Sequence, residues 1–123
     1  ELQNHDEKKF NQIYKNFKSN TLKYSKKLKI IKNTSAYFFL KNKKKYDFIY
    51  VDGSHKFDDV LHDSIKAFKN LNKYGIIIFD DFLWGHEKDL KKTSTFALLN
   101  FMQKNNNKFK ILYSNYQLII QKN

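Results

Sequence analysis

The sequence predicts an α/β domain with a doubly wound, mostly parallel sheet that ends in an antiparallel hairpin. Segments with helical spacing of apolar residues alternate with short apolar runs typical of buried strands. Two of these runs end directly on aspartates. Residues 109–121 contain two strand-like segments separated by Ser114 and Asn115, which is hairpin spacing. With 123 residues and 41% hydrophobic residues, the chain can build one hydrophobic core.

The first half of the chain is expected to form two helices and two strands. Asn4 can cap a first amphipathic helix that ends near Ser19, because apolar residues recur at helical spacing after it. A short strand is expected at 28–31 and a short helix at 36–40, which the basic run 41–45 ends. The continuous apolar run 46–51 is typical of a strand buried on both faces, as in a parallel sheet.

The second half repeats the alternation. A helix begins near Phe57, with acidic residues in its first turn, and residues 70–75 close it. Residues 76–79 form the second buried strand, and Phe96, Leu99 and Met102 mark a further helix that Asn105 ends. The final hairpin is expected at 109–113 and 116–121.

The composition excludes several classes of protein. The chain has no Cys, so it has no disulfide, thiolate zinc site or cysteine nucleophile. No apolar run is long enough for a membrane span, and the chain is expected to be soluble, cytoplasmic and without a membrane partner. The net charge of +12 comes entirely from Lys, with 14 Asn beside it and no Pro. Codon bias towards AT-rich sequence explains this better than a nucleic-acid partner, since Arg is absent.

The candidate chemistry lies at the strand ends. Asp52 follows the first buried strand, and Asp80 and Asp81 follow the second, so the three acids should face one crevice and could hold a hard cation. The alternative is that each Asp only caps a helix or forms a turn. His55 is either a base or a partly exposed turn residue. Trp84 either lines a substrate pocket or packs against neighbouring side chains in a purely structural role.

Residues 46–84 resemble class I S-adenosylmethionine-dependent methyltransferases from their fourth to their fifth strand, and read YDFIYVDGSHKFDDVLHDSIKAFKNLNKYGIIIFDDFLW. The resemblance is strongest to a branch that has a DGSH turn and a DD pair, related to macrocin-type sugar and catechol-type O-methyltransferases. It implies a Rossmann-like fold and methyl transfer from S-adenosyl-L-methionine to a hydroxyl of a small molecule or sugar, with Mg²⁺ as a further cofactor in the metal-dependent relatives.

The resemblance also implies roles for individual residues. Asp52, Asp80 and Asp81 correspond to the Mg²⁺ ligands, and Asp52 or His55 to the catalytic base. The remaining assignments are Asn33, Ser35 and Asp52 as contacts of the methyl donor, and Trp84 and His86 as contacts of the acceptor.

The chain departs from the family at its beginning. The glycine-rich loop after the family's first strand and the acid that ends its second are absent. Residues 1–123 are therefore expected to be a single partial methyltransferase domain, from the helix before strand three to strand seven, without the first two strands. The segment 28–31 would then lack neighbouring strands, and the fragment alone is expected to be inactive.

The sequence leaves four functional hypotheses open. They are metal-assisted O-methylation, metal-independent methylation with His55 as base, an RNA-modifying or RNA-binding domain that uses the Lys-rich surface, and an inactive fragment. The RNA reading predicts lysines on the rim of the same crevice. Whether the protein is a homo-oligomer is also left open.

Overall fold

A computed structural model describes residues 2–84 and 89–123 of the chain, with the backbone alone for residues 2–6. The helices are α1 Leu2–Thr21, α2 Ser35–Lys41, α3 Phe57–Lys69 and α4 Ser94–Lys104. The strands are β1 Tyr46–Val51, β2 Leu71–Phe79, β3 Phe109–Ser114 and β4 Leu118–Lys122. Short 3₁₀ helices occur at Leu22–Lys27 and Leu90–Lys92. The chain divides into two compact units, residues 1–32 and 33–123.

The first unit contains α1 and the 3₁₀ helix that follows it. The predicted first helix is confirmed, but it runs from Leu2 to Thr21, so Asn4 lies within the helix and the predicted cap at Asn4 is wrong. The predicted strand at 28–31 is wrong, because this segment has no regular structure, and Leu28, Ile30 and Ile31 are exposed. A strand needs a neighbour to satisfy its backbone N–H and C=O groups. No described strand pairs with this segment.

The second unit is a four-stranded mixed sheet with order β1-β2-β4-β3. Strands β1 and β2 are parallel, and β4 is antiparallel to both β2 and β3. The mixed α/β arrangement and the C-terminal hairpin agree with the predicted fold class and are consistent with a Rossmann-like fold, although one of the three strand pairings of the described sheet is parallel and two are antiparallel. The register places Val51 of β1 opposite Phe79 of β2, so both strands end at the same edge.

The hydrophobic core lies between one face of the sheet and helices α3 and α4. The strands contribute Ile77, Phe79, Leu118 and Ile120, each almost fully buried. Phe101 of α4 is fully buried, and its ring centroid lies 5.4 Å from that of Phe68, 5.7 Å from Phe79 and 6.1 Å from Phe109. On the opposite face, Phe48 and Tyr50 remain about half exposed. No helix of the described chain is long and apolar enough to cross a membrane.

Strand β2 begins at Leu71, five positions earlier than the sequence indicated. A bulge separates its first pair with β1 from the regular register that follows. Leu71 pairs with Tyr46, and the regular register resumes at Ile76. Within this bulge Tyr74 has φ 63°, in the left-handed region. That conformation costs a residue with a Cβ about 1–2 kcal/mol. The Tyr74 side chain is nevertheless 66% exposed, so buried packing does not offset the cost.

Candidate functional site

Two loops leave the carboxyl edge of the parallel pair side by side. One follows β1 and contains Asp52 and His55, and the other follows β2 and contains Asp80 and Asp81. The Asp80 N–H donates to the Val51 carbonyl oxygen at 2.9 Å, which continues the strand pairing into the second loop. Both loops line a small cavity of about 20 Å³, room for one water molecule. The expected convergence of the two loops at one edge is therefore observed.

Asp80 is held by several hydrogen bonds. Its Oδ2 accepts a short hydrogen bond from the Tyr50 hydroxyl. Its Oδ1 accepts from Gln117 Nε2 at 3.0 Å and from the Asp81 N–H at 3.0 Å. Gln117 also donates to the Tyr50 hydroxyl oxygen at 3.2 Å, so the three side chains form a closed triangle.

These hydrogen bonds shift the titration of both acids. The hydrogen bond to Asp80, followed by desolvation and the nearby carboxylates, raises the pKa of Tyr50 to about 12. The hydrogen bonds from Tyr50 and then Gln117 lower the pKa of Asp80. At neutral pH the cluster therefore contains a protonated phenol and an ionised carboxylate that already accepts three donors.

Asp81 points its carboxylate to a different partner. Its Oδ2 lies 3.7 Å from His55 Nε2, an ion-pair distance rather than a hydrogen bond. Asp81 adopts φ 53°, a left-handed conformation that Asp tolerates better than most residues, and its carbonyl accepts from Ser94 Oγ at 3.0 Å. The Trp84 ring centroid lies 5.4 Å from that of His55, with the planes tilted by 32°. The imidazole is thus placed between a carboxylate and an indole.

A family model described as "Methyltransferase domain" matches residues 2–82. The chain belongs to this methyltransferase domain family. Membership implies S-adenosylmethionine as the methyl donor in general terms. The search of curated proteins found no match to this methyltransferase.

The predicted metal ligands of the methyltransferase do not form a cation site. Within residues 2–84 and 89–123, no group of three or more His, Asp or Glu side chains is arranged to hold a metal ion. Asp80 accepts from Tyr50 and Gln117, whereas Asp81 faces His55. Shared coordination by Asp52, Asp80 and Asp81 requires that their oxygens meet around one ion. The residues therefore do not fit Mg²⁺ in this arrangement, and the cation is not supported.

The other predicted site residues are placed as follows. Asn33 and Ser35 lie at the beginning of α2, where the Asn33 Oδ1 accepts from the Thr34 N–H at 2.8 Å. Thr34, not Ser35, caps the helix. Among the described residues, neither Asn33 nor Ser35 forms a hydrogen bond with His55 or Asp80. His86, the predicted acceptor contact, lies outside the described residues, so its assignment stays a prediction.

Three site residues were missed by the sequence analysis of this methyltransferase. They are Tyr50 and Gln117, which bind Asp80, and Tyr116, whose pKa the Asp81 carboxylate raises. The sequence did contain a signal for Gln117 and Tyr116. A strand antiparallel to β2 must begin at the edge where β2 ends, so the first residues after the hairpin turn had to lie near Asp80. Tyr50 carried no such signal, because it reads as an ordinary apolar strand residue.

Proposed function

We propose that this chain is part of an enzyme that transfers the methyl group of S-adenosylmethionine to a hydroxyl of a small molecule or sugar, with His55 as the proton acceptor. The observation that supports this role is the His55 ring, 3.7 Å from Asp81 at the carboxyl edge of the sheet. Ligands bind at this edge in open α/β sheets. The side chain of His55 is 42% exposed, so an acceptor can reach it.

We propose that the acceptor's proton leaves by way of His55. In the tautomer that carries its proton on Nε2, the nitrogen 3.7 Å from Asp81 Oδ2, the Nδ1 lone pair is available to the acceptor hydroxyl. As the oxygen–carbon bond forms, the hydroxyl proton moves to Nδ1, and Asp81 stabilises the positive charge that develops on the ring. The donor, when bound, supplies a methyl group on a sulfonium that leaves as a neutral thioether. Trp84, beside the ring, limits where the acceptor can lie.

Asp52 belongs to the donor side of this proposal. It begins the β1 loop, next to His55, and shares its sheet edge with Asp80. The resemblance implies that Asp52, together with Asn33 and Ser35, contacts the methyl donor. The cavity of about 20 Å³ is far smaller than the several hundred Å³ that a nucleoside-sized ligand occupies. We therefore propose that the described residues form one wall of the donor site and that the domain is partial, as expected from the missing glycine-rich loop.

The test is transfer of isotopically labelled methyl from S-adenosylmethionine to a panel of sugars and phenols, with a chain extended upstream through the two strands that the resemblance expects. His55→Gln should lower kcat by about 100-fold or more, the usual contribution of a general base. The matched control is His62→Gln, because His62 also lies beside an aspartate, with Nδ1 3.1 Å from Asp63 Oδ1 on α3. That variant should retain activity.

Removal of divalent cations with EDTA distinguishes metal-independent from metal-assisted methylation. Activity that persists in EDTA and disappears in His55→Gln supports the proposal. Activity that EDTA abolishes and Mg²⁺ restores, with His55→Gln fully active, would contradict it and favour the metal-assisted reading. No labelled product from a folded, extended chain with any hydroxylated acceptor would overturn O-methylation.

A further inference from the structure

Six of the fifteen lysines of the second unit lie in segments that meet at the end of the sheet opposite His55. Strands β1 and β2 begin at this end, α3 ends there, and β4 ends there beside the first residues of β3. We define the basic edge by the lysines that this topology collects, namely Lys44, Lys45, Lys69, Lys73, Lys108 and Lys122.

Hydrogen bonds join the segments of the basic edge. The Tyr46 N–H donates to the Asn70 carbonyl at 2.9 Å. The Lys122 ammonium donates to the Leu71 carbonyl at 2.9 Å, and the Asn123 N–H donates to the Lys108 carbonyl at 2.9 Å. The edge is therefore one continuous surface rather than a set of separate loops.

Neither codon bias nor helix chemistry accounts for this placement. Codon bias sets how many lysines a chain has, not where the fold collects them. The helix macrodipole favours cations in the last turn of a helix, which explains Lys69. It does not explain Lys44, Lys45 or Lys73, which lie outside helices.

The lysines of the basic edge lack carboxylate partners among the residues that the structure describes. None of its lysines forms an ion pair with another described residue. Asp47, the carboxylate at the beginning of β1, accepts from Asn72 Nδ2 at 2.8 Å. Burial and then the charge of Lys45 lower the pKa of Lys122, as expected where cations crowd together. Such clustering opposes the compact state unless an anion binds.

Tyr74 adds a second, independent feature to this edge. It projects from the β2 bulge with 66% of its surface exposed, and the Lys73 ammonium lies 4.9 Å from its ring centroid. Its φ of 63° would suit a glycine better, so the fold keeps an exposed aromatic ring in a position that backbone preference disfavours. Gln121 Nε2 donates to the Tyr74 carbonyl at 3.1 Å and anchors the bulge.

We propose that the basic edge binds a single-stranded nucleic acid, with phosphates on its exposed lysines, from which the part-buried Lys122 is excluded, and a base stacked on Tyr74. Cationic grooves combined with exposed aromatic rings are the recurring chemistry of single-strand binding. The sequence neighbours of Tyr74 include Asn72 and Lys73, whereas a membrane-inserting surface needs an apolar face. The site lies at the opposite end of the sheet from His55, so this binding is separate from methyl transfer.

The test is fluorescence anisotropy of a labelled oligouridylate titrated with the protein over a range of salt concentrations, without methyl donor. Tyr74→Gly should weaken binding by about fivefold or more, the lower bound for loss of one base stack. Glycine suits the left-handed backbone, so this variant should stay folded, and Tyr74→Phe should bind like the parent. Lys44→Gln with Lys45→Gln should reduce the slope of log K against log salt by about 1.4 if both contact phosphate.

The matched control is Lys91→Gln with Lys92→Gln, an exposed pair that removes the same charge after the β2 loop. It should leave the oligonucleotide affinity and the salt slope nearly unchanged. Equal losses from the two lysine pairs would show attraction by net charge alone and overturn the proposal. Absence of binding at low salt would also overturn it. Tighter binding to phosphatidylserine vesicles, unaffected by Tyr74→Gly, would assign the edge to a membrane instead.

Discussion

Gly75→Ala is expected to destabilise the fold, because the β2 bulge leaves no room for a side chain. A Cβ at this position would lie 3.0 Å from the carbonyl oxygens of Asn72 and Asp47 and 3.0 Å from Cδ1 of Leu71. Ordinary van der Waals contact begins near 3.4 Å. Two of the three neighbours are backbone atoms and Leu71 is fully buried, so none can move away freely.

The expected magnitude combines two opposing effects. Overpacking of this kind costs about 1–3 kcal/mol, and replacing Gly by Ala returns about 0.4–1 kcal/mol by restricting the unfolded chain. The midpoints of these ranges, about 2 and about 0.7 kcal/mol, give a net loss of unfolding free energy of about 1.3 kcal/mol, or about 4–7 °C in Tm for a domain of this size. Urea denaturation and thermal melts followed by circular dichroism measure both quantities.

Gly53→Ala is the matched control for this prediction. A Cβ at Gly53 would meet only Asp63 Oδ2 at 3.9 Å, an ordinary contact, and Gly53 has no positive φ. Its stability should change by no more than about 0.5–1 kcal/mol, in either direction. A Gly75→Ala protein as stable as the parent, or more stable, would refute the packing described for the bulge.

Three further changes test the core, a helix cap and the site. Phe101→Ala should cost about 3–5 kcal/mol in urea denaturation, because the ring is fully buried among three other Phe rings, whereas Phe96→Ala on the same helix, partly exposed, should cost much less. Thr93→Ala should lower Tm more than Thr34→Ala, since buried Thr93 both caps α4 at Phe96 N–H (3.2 Å) and donates to the Leu90 carbonyl at 2.7 Å, while exposed Thr34 only caps α2. Asp80→Asn should move the pKa of Tyr50 from about 12 back towards 10.0 in an ultraviolet absorbance titration; because the folded pKa is raised, the stabilisation linked to this proton is present below pH 10 and lost as the pH rises to about 12. Intact Tm for Phe101→Ala, equal Tm losses for the two threonines, or an unmoved Tyr50 titration would each contradict the corresponding contact.

The sheet and its carboxyl edge could be predicted from the sequence because they depend on local patterns. Apolar runs of strand length and helical spacing predicted β1, α3, β4 and the α4 stripe, and aspartates directly after two parallel strands had to share an edge. The strand at 28–31 failed for a non-local reason. A β-type run forms a strand only where a neighbour supplies hydrogen-bond partners, and residue pattern does not encode that neighbour.

The sequence predicted that the two acidic loops share a sheet edge, but not which side chain each carboxylate contacts. Asp80 and Asp81 are adjacent in sequence, yet their carboxylates have different partners, Tyr50 for Asp80 and His55 for Asp81. The backbone of Asp81 is in the left-handed region. Gln117 reaches Asp80 across 37 positions of sequence, through the register of β4 against β2. Such contacts depend on register and on single φ angles, which composition and periodicity leave undetermined.

The methyl-transfer site that we propose for this methyltransferase domain consists of the β1 and β2 loops. The most direct measurement is the change of backbone amide shifts when S-adenosylhomocysteine is titrated into the isotope-labelled, upstream-extended chain, with and without Mg²⁺. We expect saturable shifts at Asp52–His55 and at Asp80–Trp84, equal with and without Mg²⁺, and none at Lys43–Lys45 on the opposite edge. Shifts confined to that opposite edge, or no binding by the folded, extended chain, would contradict the proposed site.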